Sequence, residues 1–286
     1  MTPPTTTAVP GLASASPASA SPASARVAAQ AALAPHGSFT PTAERLLPDL
    51  TQREELAVLC RTLWREGYDD HLAGHITINL GDGTLLCNPW LLTWEEVRPE
   101  NVIRVDLDGR VVEGDWPAPL GIPLHLELHK ARPDVGVTVH SHPRYGTVWA
   151  DLHRVPGIYD QSSALGGGRT ALVDEYDGPV NDPGAARRAV IELGDADLGL
   201  LANHGVLIIA STIRAAHQRA VAFEQRCRHA WHVEVAGGGA ELPAPSRAQF
   251  ERSDGNGFIG FWEAMARREL RADPTLVGYH RDGNPF

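Results

Sequence analysis

The strongest constraint on the fold is the segment VTVHSH, residues 137–142, an apolar run that ends in two histidines one residue apart. Successive side chains of a strand point to opposite faces, so His140 and His142 lie on the same side. Any sheet that accepts this strand must bring two imidazoles together at its end. Such a pair is either two satisfied polar residues or two ligands of a metal site, and a mononuclear site needs a third ligand from elsewhere. The segment LANHGVLI offers one in His204, at a tight glycine turn where an apolar strand stops. A strand-end pair combined with a distant NHG turn is a much stronger signal than either piece. It points to a metal held by His140, His142 and His204. Three neutral imidazoles suit Zn or Fe(II), with Mn, Co and Ni also in range, and they leave positions open for substrate or oxygen.

The remaining pattern places this strand in a mixed sheet. TPTAERLLPDLTQREELAVLCRTLWREGYDD has helical spacing ending near Gly67, and LAGHITINLGDGTLLCNPW alternates around a GDG turn as a hairpin does. VIRVDLDGRVVEGD repeats that pattern. A helix is expected from about Pro123 to the RPD stop, a second over YGTVWADL, and a long amphipathic one over TIRAAHQRAVAFEQRCRHAWHVEVA. LGLLANHGVLIIAS reads as a strand pair broken at NHG. Hairpins followed by helix–strand alternation give a mixed sheet flanked by helices.

Composition narrows the partners. A net charge of −10 with no long basic run argues against nucleic acid or an anionic membrane, leaving a small-molecule substrate. No apolar stretch approaches the roughly 20 residues of a membrane span. Cys60, Cys87 and Cys227 form no CxxC pair, which fits a reduced, cytoplasmic setting. Residues 1–40 form an Ala/Ser/Pro tract with SASPA near-repeats and almost no large apolar side chains, so this tail is expected to be disordered. The main domain is expected over 41–240, with 241–286 as an extension packing on the domain or on a neighbouring subunit.

Other histidines are candidates for the surroundings of the metal. His125 and His129 lie four apart in HLELH and share one helix face. His125 is the better functional candidate, because its helix leads into the strand carrying His140. His75, in the first hairpin, could line a pocket. His71, His153, His217, His229, His232 and His280 read as surface or packing residues, and His36 lies in the tail.

LAGHITINL, NPWLLTWEEV, VDLDGRVVEG, LHLELHKARPDVGVTVHSHPRYGTVWA and LLANHGVLI together, spanning about residues 50–235, resemble the class II aldolase/adducin family. The resemblance implies that family's α/β fold, a three-layer α/β/α domain with a mostly antiparallel central sheet. It also implies a homotetramer with sites at subunit boundaries, and it puts the family's metal histidines on His140, His142 and His204.

The departures from the family bear on chemistry. Sugar-phosphate aldolases of this family carry an SSE element whose glutamate is the acid/base; its place here is PLG, with Gly121 at the glutamate position. Their phosphate-gripping GNxS is here GHIT, and their threonine–glycine turn is NPWLL. Both changes resemble the adducin-like branch. A phosphate dianion needs several convergent donors, so a sugar phosphate is not the expected substrate. Three readings follow. The first is a metal-dependent lyase of aldolase or decarboxylase type acting on a non-phosphorylated 2-oxo or 2-hydroxy acid, with His125, Tyr145 or Tyr176 replacing the glutamate. The second is a non-haem Fe(II) oxygenase of secondary metabolism, resembling those that make the ring of aminocoumarin antibiotics. The third is a non-catalytic, adducin-like interaction domain.

Overall fold

The computed structural model describes residues 47–174, 181–251 and 260–278. The tail, Tyr176, His36 and His280 lie outside the described residues. Helix α1 (Gln52–Arg65) starts at Thr51 with a reciprocal cap: Glu54 N donates to Thr51 Oγ1, and Thr51 N donates to the Glu54 carboxylate. It stops before Gly67, whose φ of +95° a side-chain-bearing residue rarely adopts. Strands β1 (His75–Asn79) and β2 (Thr84–Cys87) form the expected hairpin, and β3 (Ile103–Asp106) and β4 (Val111–Glu113) form the second. Helix α2 (Ile122–Ala131), strand β5 (Val137–Ser141) and helix α3 (Arg144–Asp151) follow.

Between residues 152 and 197 the chain adds three elements that the periodicity did not reveal: α4 (Gln161–Ala164), β6 (Thr170–Val173) and α5 (Pro183–Leu193). Then come β7 (Leu198–Leu201), β8 (Gly205–Ala210), the long helix α6 (Ile213–Val235), α7 (Ala244–Glu251) and α8 (Phe261–Ala272). The eight strands lie in the order β4-β3-β2-β1-β5-β8-β7-β6. Among the described residues only β6 and β7 run parallel, joined through α5. The sheet is therefore mixed, mostly antiparallel and flanked by helices, and β5 sits near its middle.

Alternation sorts the strand side chains between two layers. Val137, Val139, Ile76, Ile78, Val206 and Ile208 join the core formed with α1, α3, α6 and α8. On the opposite face, Leu207 and Ile209 pack against Leu124 and Leu128 of α2 and Val190 of α5. Trp262, Ala266 and Leu276 of the C-terminal stretch are buried in the first core. Glu269 pairs there with Arg65, and Glu263 with Arg214. Charge-rich composition hid this helix, because only a narrow stripe of it is apolar.

Under α2 the sheet carries a polar seam instead of aliphatic side chains. His75 is paired across the strands with His140, and Thr77 with Thr138; each of the four is at most 4% exposed. His125 and His129 of α2 face the same seam. Polar groups buried this deeply cost stability unless hydrogen-bonded, and this seam bonds internally except at His129 Nδ1.

Candidate metal centre

His140, near the end of β5, donates from Nδ1 to the Val206 carbonyl at 2.9 Å. A carbonyl only accepts, so this bond fixes the tautomer and leaves Nε2 bare. His142, just past the strand end, is bound through Nδ1 to Asp70 Oδ2 at 2.5 Å, while its Nε2 is buried without a hydrogen-bond partner. Burial opposes ionisation of Asp70, but the hydrogen bonds to His142 and His71 outweigh it and hold the carboxyl below its ordinary range. A carboxylate behind a histidine is the usual arrangement that orients a metal ligand.

His204 sits in the β7–β8 turn. Asn203 takes a left-handed φ of +54° and its side-chain oxygen accepts from His153 Nε2 at 2.9 Å; His204 N donates to the Leu201 carbonyl. The next residue must be glycine, because a Cβ on Gly205 would lie 2.4 Å from His142 Cδ2 and 2.7 Å from the Ser141 carbonyl. One nitrogen each from His140, His142 and His204 lies within 4.8 Å of the others. The ring centroids form a near-equilateral triangle of 5.1, 4.8 and 4.9 Å. Burial, with His142 adding, pushes His204 down to about 4, and burial holds His140 well below its ordinary value. Both are therefore neutral near pH 7, the state a metal requires. The bare His140 nitrogen and the orphaned His142 nitrogen fit a divalent ion.

The triad opens into a cavity of about 250 Å³ walled by Trp90, Leu120, Leu124, Gly121 and His75. Among the described residues, no lysine or arginine lines it. His75 stands beside His140 with ring centroids 4.7 Å apart. His125 does not border this cavity. It is fully buried behind His75, joined to it by a 2.9 Å bond between His125 Nε2 and His75 Nδ1. Tyr145 borders a different and larger cavity of about 1090 Å³, which shares His142 with the first and includes Asp70 and Glu224. Glu224 accepts from the Tyr145 and Gly146 amides at the start of α3. Of the remaining histidines, His71 is exposed, whereas His217 is fully buried against Phe261 and Trp262.

Sequence reasoning missed Asp70 and undervalued His75. The acidic pair in YDD was visible, but no spacing rule connects it to His142. His75 gains its place from strand register, which pairs it with His140.

The chain belongs to the family of the class II aldolase and adducin N-terminal domain, whose family model matches residues 54–231. It is similar to 3,4-dihydroxyphthalate decarboxylase of Arthrobacter keyseri, 29% identical over 211 residues covering 69% of this chain and 85% of that protein. It is also similar to 4-hydroxy-3-prenylphenylpyruvate oxygenase/4-hydroxy-3-prenylbenzoate synthase of Streptomyces roseochromogenus, 28% identical over 228 residues covering 77% and 82%. Among solved structures, an aldolase II superfamily protein from Pseudomonas syringae superposes with a TM-score of 0.68 at 27% identity, covering 77% of this chain and 92% of that one. Relatives of this chain are thus named as decarboxylases and oxygenases of the aldolase superfamily.

Proposed function

We propose that the protein is a metal-dependent lyase of aldolase or decarboxylase type. It breaks a carbon–carbon bond next to a carboxylate or carbonyl in a non-phosphorylated 2-oxo or 2-hydroxy acid. The observation that carries this reading is the triad of His140, His142 and His204 opening into a small, largely apolar cavity. Zn or Fe(II) held by His140, His142 and His204 would supply a Lewis acid for the oxygens of a chelating acid. Asp70 orients His142, the Val206 carbonyl orients His140, and Trp90 and Leu120 offer an apolar wall. A phosphate would meet no cationic side chain among the described lining residues.

The working form we propose is a homotetramer acting on a small molecule. Among the described residues no helix is long and apolar enough to cross a membrane. The three cysteines are buried and unpaired, which suits a reducing, cytoplasmic compartment.

An Fe(II) oxygenase is the second reading, favoured by the glycine at 121: a three-histidine iron with open positions needs no enolising carboxylate. Metal analysis of the purified protein, with aerobic and anaerobic turnover of a panel of 2-oxo and 2-hydroxy acids, separates the readings. Turnover without oxygen supports the lyase, and oxygen-dependent turnover with bound iron supports the oxygenase. Absence of stoichiometric metal would leave only the non-catalytic, adducin-like domain.

A further inference from the structure

Gly121 precedes α2 with a φ of −83°, a conformation any residue can adopt. Glycine is needed there for space alone. A Cβ at 121 would lie 2.3 Å from His75 Nε2 and 2.7 Å from His75 Cε1. The His75 ring therefore fills the volume into which a side chain at 121 would grow, at the mouth of the metal triad.

Behind His75 runs a linear hydrogen-bond chain that ends at His129, whose Nδ1 is buried without a hydrogen-bond partner. His75 Nδ1 meets His125 Nε2 at 2.9 Å, His125 Nδ1 meets Thr77 Oγ1 at 2.8 Å, and Thr77 Oγ1 meets His129 Nε2 at 2.9 Å. Thr138 Oγ1 stands farther from that last nitrogen, at 3.4 Å. The three rings are at most 4% exposed and bond to one another and to Thr77, so a cation on any of them would be buried without a counter-charge, and each ring is neutral. A neutral imidazole carries one N–H, and a hydroxyl has one hydrogen to give. With the Thr77 hydrogen used within the chain, its three bonds allow two arrangements. If Thr77 donates to His129, then His125 donates to Thr77 and His75 donates to His125, leaving His75 Nε2 as an acceptor. If Thr77 donates to His125, every bond reverses and His75 Nε2 carries the hydrogen. In both cases His75, His125 and His129 share one tautomer.

We propose that His75 is the side chain that hydrogen-bonds the substrate in the place of the absent carboxylate, and that His125, Thr77 and His129 are positioning residues that set its tautomer as one unit. The substrate-facing half of this rests on reading the cavity as the substrate site. The coupled tautomers do not. The chain gives His75 a fixed direction and a defined donor or acceptor character before substrate arrives, which is what preorganised recognition needs.

Long-range ¹H–¹⁵N spectra of the zinc-loaded, histidine-labelled protein distinguish N–H from bare ring nitrogens. His75, His125 and His129 are expected to carry hydrogen on the same-named nitrogen, and a mixture of tautomers among them would overturn the coupling. Thr77→Val should leave bound zinc unchanged yet shift the His75 nitrogens, although Thr77 does not touch His75, and Thr77→Ser should restore them. Unchanged His75 resonances in Thr77→Val would also overturn it. Mandelate, a 2-hydroxy acid, should move the His75 Nε2 resonance together with those of the metal histidines. His75→Ala should retain zinc but bind mandelate about tenfold more weakly, the loss of one hydrogen bond. If His75→Ala loses its zinc, His75 is a ligand and the proposal fails. Mandelate moving only the metal histidines would remove His75 from the substrate. Mandelate moving no histidine would remove the 2-hydroxy-acid reading and the facing role together, with the coupling still decided by the first two results.

Discussion

Replacing Gly121 by alanine isolates the steric part of the site from its chemistry. Backbone conformation sets no barrier, because φ at 121 is −83°. The loss of a glycine cap and the gain from stiffening the unfolded chain are each below about 1 kcal/mol and opposite in sign. What remains is contact. The new methyl would sit 2.3 Å from His75 Nε2, more than ~1 Å inside ordinary van der Waals separation. His75 cannot yield cheaply, since its other nitrogen is bonded to His125 at 2.9 Å and its ring lies against His140. Overpacking of this kind costs about 1–3 kcal/mol. For a domain of this size that is a melting-temperature loss of roughly 2–10 °C. Urea unfolding of the metal-free protein measures it without reference to activity. The double variant Gly121→Ala/His75→Ala should recover most of the loss, giving a coupling energy of about 1–3 kcal/mol. A Gly121→Ala protein as stable as the parent, or strictly additive variants, would show that His75 does not occupy this space. The same geometry makes any side chain at 121 and this histidine mutually exclusive at their present positions.

Asp70→Asn should retain the fold and weaken metal affinity by about 10–100-fold in competition with a chelator, and unchanged affinity would remove Asp70 from the ligand's support. His217 is pushed to about 3 by burial, with Arg268 adding, and neither of its ring nitrogens has a hydrogen-bond partner. The folded state then holds fewer protons than the unfolded state between about pH 3 and the ordinary histidine value of 6.5. Its contribution is fully present above that window and is lost as the pH falls through it. His217→Leu should therefore flatten the stability loss between pH 6.5 and 4 and add about 1–2 kcal/mol at pH 7; an unchanged pH slope in urea midpoints would contradict this. Trp262→Ala should cost about 3–5 kcal/mol in urea unfolding, and a loss below ~1 kcal/mol would mean that α8 is not part of the core.

The two hairpins, the helix opening beside Pro123, the strand ending in His140 and the long helix α6 were legible because each rests on local spacing. The histidine triad was legible for the same reason: HxH and NHG each mark a strand end. Three things were not. Strand β6 and helix α4 are four residues each, too short for a period to show. Helix α8 hides its buried Trp262 and Ala266 among charges that pair with α1 and α6. The place of His75 depends on antiparallel register between β1 and β5, a relation between distant segments that no local pattern carries. His125, on α2, is bonded to His75 and stands behind it without bordering the cavity.

The three clustered histidines are delivered by two separate parts of the sheet, and their positions relative to one another exist only once β5 lies against β8. A chain in which that pairing has not formed can offer the His140–His142 pair but not the third nitrogen at binding distance. If the triad holds the proposed metal, affinity is conditional on closure of the middle of the sheet, and by mass action the ion would favour molecules that have completed it over partly assembled ones. Chelator resistance during refolding would then act as a clock for the central strand pairing, and metal supply would become a term in how much of the chain reaches its native state.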